Sequence, residues 1–586
     1  MEISLFSASA VFQGALPHPV FIMTSLGPIF ADDLARVKPG DRLRLTISAQ
    51  TSDAAALAQA ALEARARGER VLVVCADPAD VPRLAQEMPW FEPNLDVRPL
   101  PDWETLPYDV LSPQEELVSE RLEALYRLTA PTGGADVLLT SAVTASQRLS
   151  PVSYIGANTF FFHQGEQISL TTLQKRLAAA GYANVKQVLA AGEFAVRGSI
   201  VDVFPMGSER PFRLDFFDDE IESIRWFDVD TQRSMESAEE IRLLPGHEFP
   251  VDPEALLAFR QRWRREFAGD PKKSIVYCDI EKEILPPGIE YYLPLFFDET
   301  AALTDYLPPN ARVFLLGDIE AALQAFGRDM ASRYKVLAAD PQRPALAPER
   351  IWLKPEEFFK SLANFARFTV EKKENAEDLK CLSGIEVDRK SQNPVGKLLE
   401  RTRESAMKGV RTLIAAPSAG RMETMSQLLR TGGLSVEEFS DWQTFLEADS
   451  SLGISAAPLF SGAVFHHPEI VILSEAELYA ASPRRHRLRR VKHATTLEMM
   501  VRDVAELKPG DAVVHADHGI GRYQGLVHME TPDGDAEFLE ITYKNDAKLF
   551  VPITNLQLIS RYAGADPEHA PLHQLGRGDW EKAKRK

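Results

Sequence analysis

The chain has 586 residues, 45% of them hydrophobic, which is too long for one core and apolar enough for about four or five domains. Its formal net charge of -19 excludes a protein that coats nucleic acid nonspecifically, since phosphate neutralisation needs clustered Lys and Arg, and favours protein partners. Cys75, Cys278 and Cys381 are the three cysteines; without a CxxC spacing they exclude a disulfide framework and a cysteine zinc site, and point to the reducing cytoplasm.

The first residues, up to Met23, are fairly apolar but lack a basic leading region, and no later stretch reaches the roughly 20 apolar residues of a bilayer span. A poorly ordered terminus or an upstream start is expected there, with no membrane anchor. From Arg42 to Pro151 strand and helix alternate. The runs Leu43 to Ser48 and Val71 to Cys75 flank an alanine-rich helix from Asp53 to Ala66, and Ala135 to Thr140 follows the amphipathic helix Glu116 to Leu128. That pattern predicts a parallel sheet with crossover helices. Residues 158–244 read as a small mixed α/β insertion, with strands within Phe194 to Phe204, Phe212 to Phe217 and Ile221 to Phe227 and an acidic turn at Asp218 and Asp219. The body resumes over 245–378, with a strand at Val313 to Leu316 and a helix from Ile319.

Glu371 to Lys390 reads as a charged linker. It leads to a separate small α/β domain over 391–482, with strands at Thr412 to Ala416 and Ile470 to Leu473 around a helix from Met422 to Leu429. A basic linker over 483–496 carries Arg484, Arg485, Arg487, Arg489, Arg490 and Lys492 without an intervening acid. Residues 497–570 have the punctuation of a small β-barrel: Gly519, Gly521 and Gly525 mark bends, and Leu539, Ile541 and Tyr543 alternate with polar residues before a turn at Asn545 and Asp546. Residues 571–586 start a charged helix that stops at Lys586, which reads as a truncation.

Three stretches carry a resemblance. The first is Pro101-Asp102-Trp103-Glu104-Thr105-Leu106-Pro107-Tyr108-Asp109 with Ser119-Glu120-Arg121-Leu122. The second is Gly192-Glu193-Phe194-Ala195-Val196-Arg197-Gly198, then Asp202-Val203-Phe204-Pro205 and Arg213-Leu214-Asp215-Phe216-Phe217. The third is Val514-His515-Ala516-Asp517-His518-Gly519-Ile520-Gly521-Arg522-Tyr523, with Tyr543 to Pro552 and Leu558 to Tyr562. In this order they resemble the amino-terminal region of the bacterial transcription-repair coupling factors (Mfd). The first two are also similar to the repair helicase UvrB, and the third to the polymerase-interacting domain shared with CarD regulators. The fold class so implied is α/β: a degenerate helicase-like body made of 1–157 and 245–378, an inserted domain, a further small α/β domain, and a carboxy-terminal barrel of the CarD/Tudor kind.

The resemblance implies two protein partners, UvrA for the inserted domain and the β subunit of RNA polymerase for the barrel, on a monomeric chain. Matching positions give Arg197, Arg213 and Phe217 as UvrA contacts. Arginine forks pair with carboxylates, and a neighbouring aromatic supplies a desolvated centre. Strand alternation alone leaves Phe217 either core or contact, and the arginines either contacts or ordinary solvated surface. On the polymerase side the candidates are Tyr523, Leu526 and Met529, on a strand from Tyr523 to Glu530 whose exposed edge would pair with the partner; a core methionine is the alternative for Met529. Arg484, Arg485, Arg487, Arg489 and Arg490 could touch DNA or form a flexible tether.

A phosphate-cradling loop needs glycines, a Lys and a Ser or Thr, and after Ser48 the chain offers Ala49, Gln50, Thr51, Ser52 and Asp53. Only Asp318 follows the Val313 run as a carboxylate, and Gly396-Lys397 lacks a preceding loop. No catalytic residue, cofactor or metal is therefore expected; ATP and magnesium would belong to a motor beyond Lys586. Tyr108 to Arg121 is too short for the long hairpin of UvrB, so lesion verification is not expected. The acidic run from Asp215 to Glu222 reads as a solvated hairpin turn, and His515, Asp517 and His518 lack a further strong ligand for zinc. The leading expectation is a scaffold joining stalled polymerase to excision repair. The alternatives are one part of an ATP-dependent DNA translocase and a CarD-like transcription regulator.

Overall fold

A computed structural model of the chain describes residues 36–130, 134–388, 391, 393–467, 469–479, 512–515, 519–531, 534–544, 547–552 and 559–561. They belong to two units, divided between His486 and Arg487. The basic linker with Arg484 to Lys492, the residues Asp517, His518, Asn545 and Asp546, and both chain ends lie outside the described residues.

In the first unit, β1 (Arg42–Ser48), α1 (Asp53–Ala66), β2 (Val71–Cys75), α2 (Asp80–Phe91), β3 (Val97–Pro99), α3 (Glu115–Thr129) and β4 (Val137–Ser141) alternate as the apolar runs predict. Every residue of β2 and β4 is buried, as parallel strands covered on both faces require. The chain leaves the sheet for β5 (Phe160–His163), α4 (Leu170–Ala179), β6 (Ala183–Asn184), β7 (Glu193–Arg197), β8 (Ile200–Val203), β9 (Phe212–Phe217), β10 (Glu220–Phe227), β11 (Ser234–Ala238), β12 (Glu240–Leu243) and α5 (Pro253–Glu266). It returns with β13 (Arg312–Leu316), α6 (Ile319–Leu337) and β14 (Ala366–Lys373). The finished sheet runs β1-β14-β13-β2-β4-β3, and all its pairings are parallel. Residues 245–378 thus supply two interior strands to the sheet begun by 1–157. The insertion forms its own sheet, β11-β10-β9-β8-β7-β6, beside the pair β12-β5.

The first sequence motif works as a hub between these parts. Arg121 is fully buried; its guanidinium donates to both oxygens of Glu248 (2.5 and 3.2 Å), to the Pro101 carbonyl (2.7 Å) and to Gln147 (2.9 Å). Trp103 Nε1 donates to the same Glu248 at 3.1 Å. Such a buried pair is tolerated because nearly every donor has an acceptor.

The expected linker from Glu371 is ordered at its start: β14 runs through Lys373, and α7 (Ala376–Leu382) follows. Beyond it come α8 (Gly396–Met407), β15 (Arg411–Ala416), α9 (Ala419–Thr431), β16 (Glu437–Phe439), α10 (Trp442–Glu447), β17 (Leu452–Ala456), β18 (Ala463–His466) and β19 (Glu469–Ser474). Their sheet runs β16-β17-β15-β19-β18. One hydrophobic cluster joins Leu413, Ala415, Ile470 and Ile472 of this sheet to α1 and α2. The small domain packs its sheet against the helices of the first and shares a hydrophobic cluster with it.

The second unit is an antiparallel sheet of β20 (Ala512–His515), β21 (Gly519–Thr531), β22 (Gly534–Thr542), β23 (Lys548–Pro552) and β24 (Ile559–Arg561), in the order β23-β22-β21-β20-β24. Gly521 lets β21 approach β22 closely: a Cβ there would lie 2.5 Å from Ile541 Cγ2.

Candidate partner-binding sites

Strand alternation sorts the residues of β9. Leu214 and Phe216 turn into the core with Val201, Val203, Ile221 and Ile224, so Arg213, Asp215 and Phe217 share the opposite face. Register adds neighbours to that face: Asp202 pairs with Arg213, Ile200 with Asp215, and Arg197 with Ile200. Phe217 closes β9 just before a hairpin turn in which Asp218 takes φ 53°. Its ring is 67% exposed, which resolves the open choice in favour of a surface residue. Arg197, at the same end of the sheet, is half exposed, donates to the Lys186 carbonyl at 3.2 Å and lies 3.9 Å from Asp202.

Arg213 behaves differently. It donates through Nε (2.6 Å) and Nη2 (3.0 Å) to the buried carboxylate of Asp202, and through Nη1 to the Gln232 carbonyl and Ser234 Oγ. Its guanidinium lies 4.9 Å above the Phe227 ring. The Asp202 bonds raise its pKa above the ordinary arginine value. The structure thus leaves Phe217 and Arg197 open to a partner, while Arg213 is held internally. Asp202 is the residue that sequence reasoning left without a role; the available signal was a lone carboxylate inside the apolar strand Ile200–Val203. Asp215 accepts from Ser223 at 3.0 Å, and no group of acids, histidines or cysteines among the described residues is arranged to hold a metal.

In the second unit, β20 pairs with β21 only over Gly519–Arg522. After an irregularity between Tyr523 and Gly525, β21 pairs with β22 alone as far as Thr531. Among the described residues, its other backbone edge from Gly525 onward has no strand beside it. Tyr523 itself is 8% exposed and packs with Val513, Leu539, Ile541, Tyr543 and Val551. Leu526 and Met529 lie on the open stretch, opposite Leu539 and Ala536. Arg484, Arg485, Arg487, Arg489 and Arg490 lie outside the described residues.

The position after β1 is occupied by the chain's own groups. Ser52 Oγ caps α1 by accepting from the Ala55 N–H. Asp53, 2% exposed, takes two bonds from Arg83 (2.7 and 2.8 Å) and one from Lys372 Nζ (2.8 Å). Burial works against its charge, yet the bonds and charges of Arg83 and Lys372 hold its carboxyl at about 2. Asp318 caps α6 by accepting from Ala321 N–H at 2.9 Å. A cavity of about 670 Å³ opens at the carboxyl ends of β2, β13 and β14, lined by charges of both signs, among them Arg44, Asp77, Asp80, Asp318 and Lys373. Mixed signs do not make a phosphate cradle.

Comparison with known proteins places matches along this architecture. Residues 160–249 match the family model of the UvrB interaction domain, residues 406–478 that of the D3 domain of MFD, and residues 507–563 that of the CarD-like/TRCF RID domain. The chain is 38% identical over 526 residues to the transcription-repair-coupling factors of Haemophilus influenzae and Escherichia coli, covering 88% of this chain and 45% of each relative. The factor of Rickettsia bellii is 27% identical over 527 residues. The chain spans about half the length of these curated relatives.

Proposed function

We propose, from 38% identity over 88% of the chain to transcription-repair-coupling factors, that the chain is a scaffold of that kind with two protein partners. The outer face of the inserted sheet takes UvrA, the open edge of β21 takes the β subunit of RNA polymerase, and the chain thereby links stalled transcription to nucleotide-excision repair. The observation that carries this reading is the exposed Phe217 ring, placed at the same end of one sheet face as the half-free Arg197. An exposed aromatic beside a guanidinium is a centre that a partner can desolvate. On the polymerase side, a strand edge unpaired among the described residues would offer backbone hydrogen bonds to an added strand.

This segment is read as non-catalytic and free of cofactor, because the place of a phosphate loop holds Asp53 and its cationic partners. The relatives' further length is where we assign ATP-driven translocation on DNA. Among the described residues no helix is long and apolar enough to cross a membrane. Titrating purified UvrA and polymerase β subunit against the chain tests the reading. Phe217→Ala should weaken UvrA alone, and Met529→Arg should weaken the polymerase subunit alone. Binding of either partner unaffected by its own substitution removes that surface from the proposal.

A further inference from the structure

The sheet of the third domain is apolar on both faces, and parallel strands need cover on both. Its own helices cover one: Leu398 of α8 and Met425 and Leu429 of α9 cluster with Ile414, Ala416, Val471 and Leu473. The other face, Leu413, Ala415, Ile470 and Ile472, lies in the cluster that contains the alanines of α1 and Leu84, Met88 and Phe91 of α2. Phe91 meets Trp442 with ring centroids 5.5 Å apart and Phe465 at 6.5 Å. The Phe460 N–H donates across the joint to Glu87 Oε1 at 3.1 Å.

The edge strand β18 closes the joint. Val464 N–H donates to the Gln50 carbonyl at 2.8 Å, and Thr51 Oγ1 donates to the Val464 carbonyl at 3.1 Å. A sheet edge is covered by this contact. The loop between β1 and α1, whose counterpart in a nucleotide-binding sheet faces phosphate, faces a strand instead. Behind it, Asp53 supplies the negative charge at the first turn of α1, where an anion is favoured.

We propose that the third domain, residues 406–478, is the resident occupant of the position where the first sheet would otherwise take a nucleotide, and that α1 and α2 are one layer shared by both sheets. The two sheets then open to solvent together. A role is so assigned to a domain whose sequence carries no chemistry of its own: it completes the core of its neighbour and keeps the nucleotide position shut.

Hydrogen–deuterium exchange on the full chain tests this. Phe465→Ala and Trp442→Ala each leave a cavity in the joint, and exchange in Asp53–Ala66 and Asp80–Phe91 should rise about tenfold or more, in step with residues 406–478. A rise confined to residues 406–478 overturns the shared layer. Glu87→Gln is the milder variant should a cavity unfold the chain: exchange at Phe460 and along α2 should rise together, and a rise at Phe460 alone counts against the proposal. In the unaltered chain, millimolar magnesium ATP should leave exchange over residues 49–66 unchanged, and protection appearing there on adding it overturns the occupancy.

Discussion

Arg197 and Arg213 flank Asp202 from the strands on either side, and their different surroundings give them different work. Asp202 is almost wholly buried and takes two bonds from Arg213. Removing Arg213 would strand that carboxylate, a class of change that costs about 3 to 5 kcal/mol. Arg197, 3.9 Å from Asp202, can take over part of the pairing, so Arg213→Ala should cost about 3 kcal/mol in urea unfolding, at the lower end of that range. Arg197→Ala, at a half-exposed position, should change stability by less than about 1 kcal/mol while weakening UvrA measurably; equal losses of stability in the two variants would refute the division. Buried titratable groups contribute to the response to acid. His247, stacked on Phe249, has its pKa lowered by burial from 6.5 to about 4. It is neutral in the fold, so its contribution is complete above about pH 6.5 and is lost as the pH falls toward 4. Asp53, held at about 2 against an ordinary 3.8, contributes fully above about pH 4 and loses that contribution as the pH falls through 2. Glu92 and Glu290, which burial raises from 4.5 to about 7, oppose His247 over the upper window, because the penalty of their buried charge is relieved as the pH falls. Substitution separates the groups: His247→Phe should remove a loss of urea midpoint between about pH 6.5 and 4, Asp53→Asn one between about pH 4 and 2, and a profile unchanged by either would reject the assignment.

Among the elements, the strands buried on both faces were the most readable. Val71–Cys75 is legible because a short run of apolar, mostly β-branched residues between Arg70 and Asp77 admits little else. The helix Asp53–Ala66 was also readable, but its role was not. Alanine at nearly every buried position favours a helix, and it equally lets two sheets approach one helix, which only the fold discloses. The motif residues of β9 were found by resemblance, whereas the outward turn of Phe217 and the Arg213 to Asp202 pairing needed register, which local pattern does not supply. Register also places Tyr523 just past the β20 pairing, which ends at Arg522, with its side chain in the core of the sheet. The edge gives the next prediction. A proline scan from Leu526 to Glu530 should weaken polymerase β binding at alternate positions, those whose N–H groups point away from β22, without loss of the β signal in circular dichroism. A flat scan, or loss of fold wherever binding falls, would argue against strand addition.

At the scale of the whole molecule, composition anticipated several cores, yet it could not show that the strands of residues 245–378 rejoin the first sheet or that the third domain shares its core. Both depend on contacts between residues hundreds of positions apart, such as Val464 with Gln50. The chain divides into two units between His486 and Arg487, with the proposed UvrA surface around Phe217 in the first and the proposed polymerase surface on β21 in the second. The first unit has extensive hydrophobic clusters of its own. Among the described residues the second has one cluster, around Val513, Leu539 and Ile541. As separate units the two should melt separately on heating, so that a temperature exists at which one partner still binds and the other does not. Cutting within the basic linker should likewise leave an amino-terminal piece that binds UvrA with the affinity of the whole chain and does not bind the polymerase subunit. If both activities disappear at one temperature, or if the amino-terminal piece loses UvrA, the two surfaces are coupled through the fold and the picture of independent docking units fails.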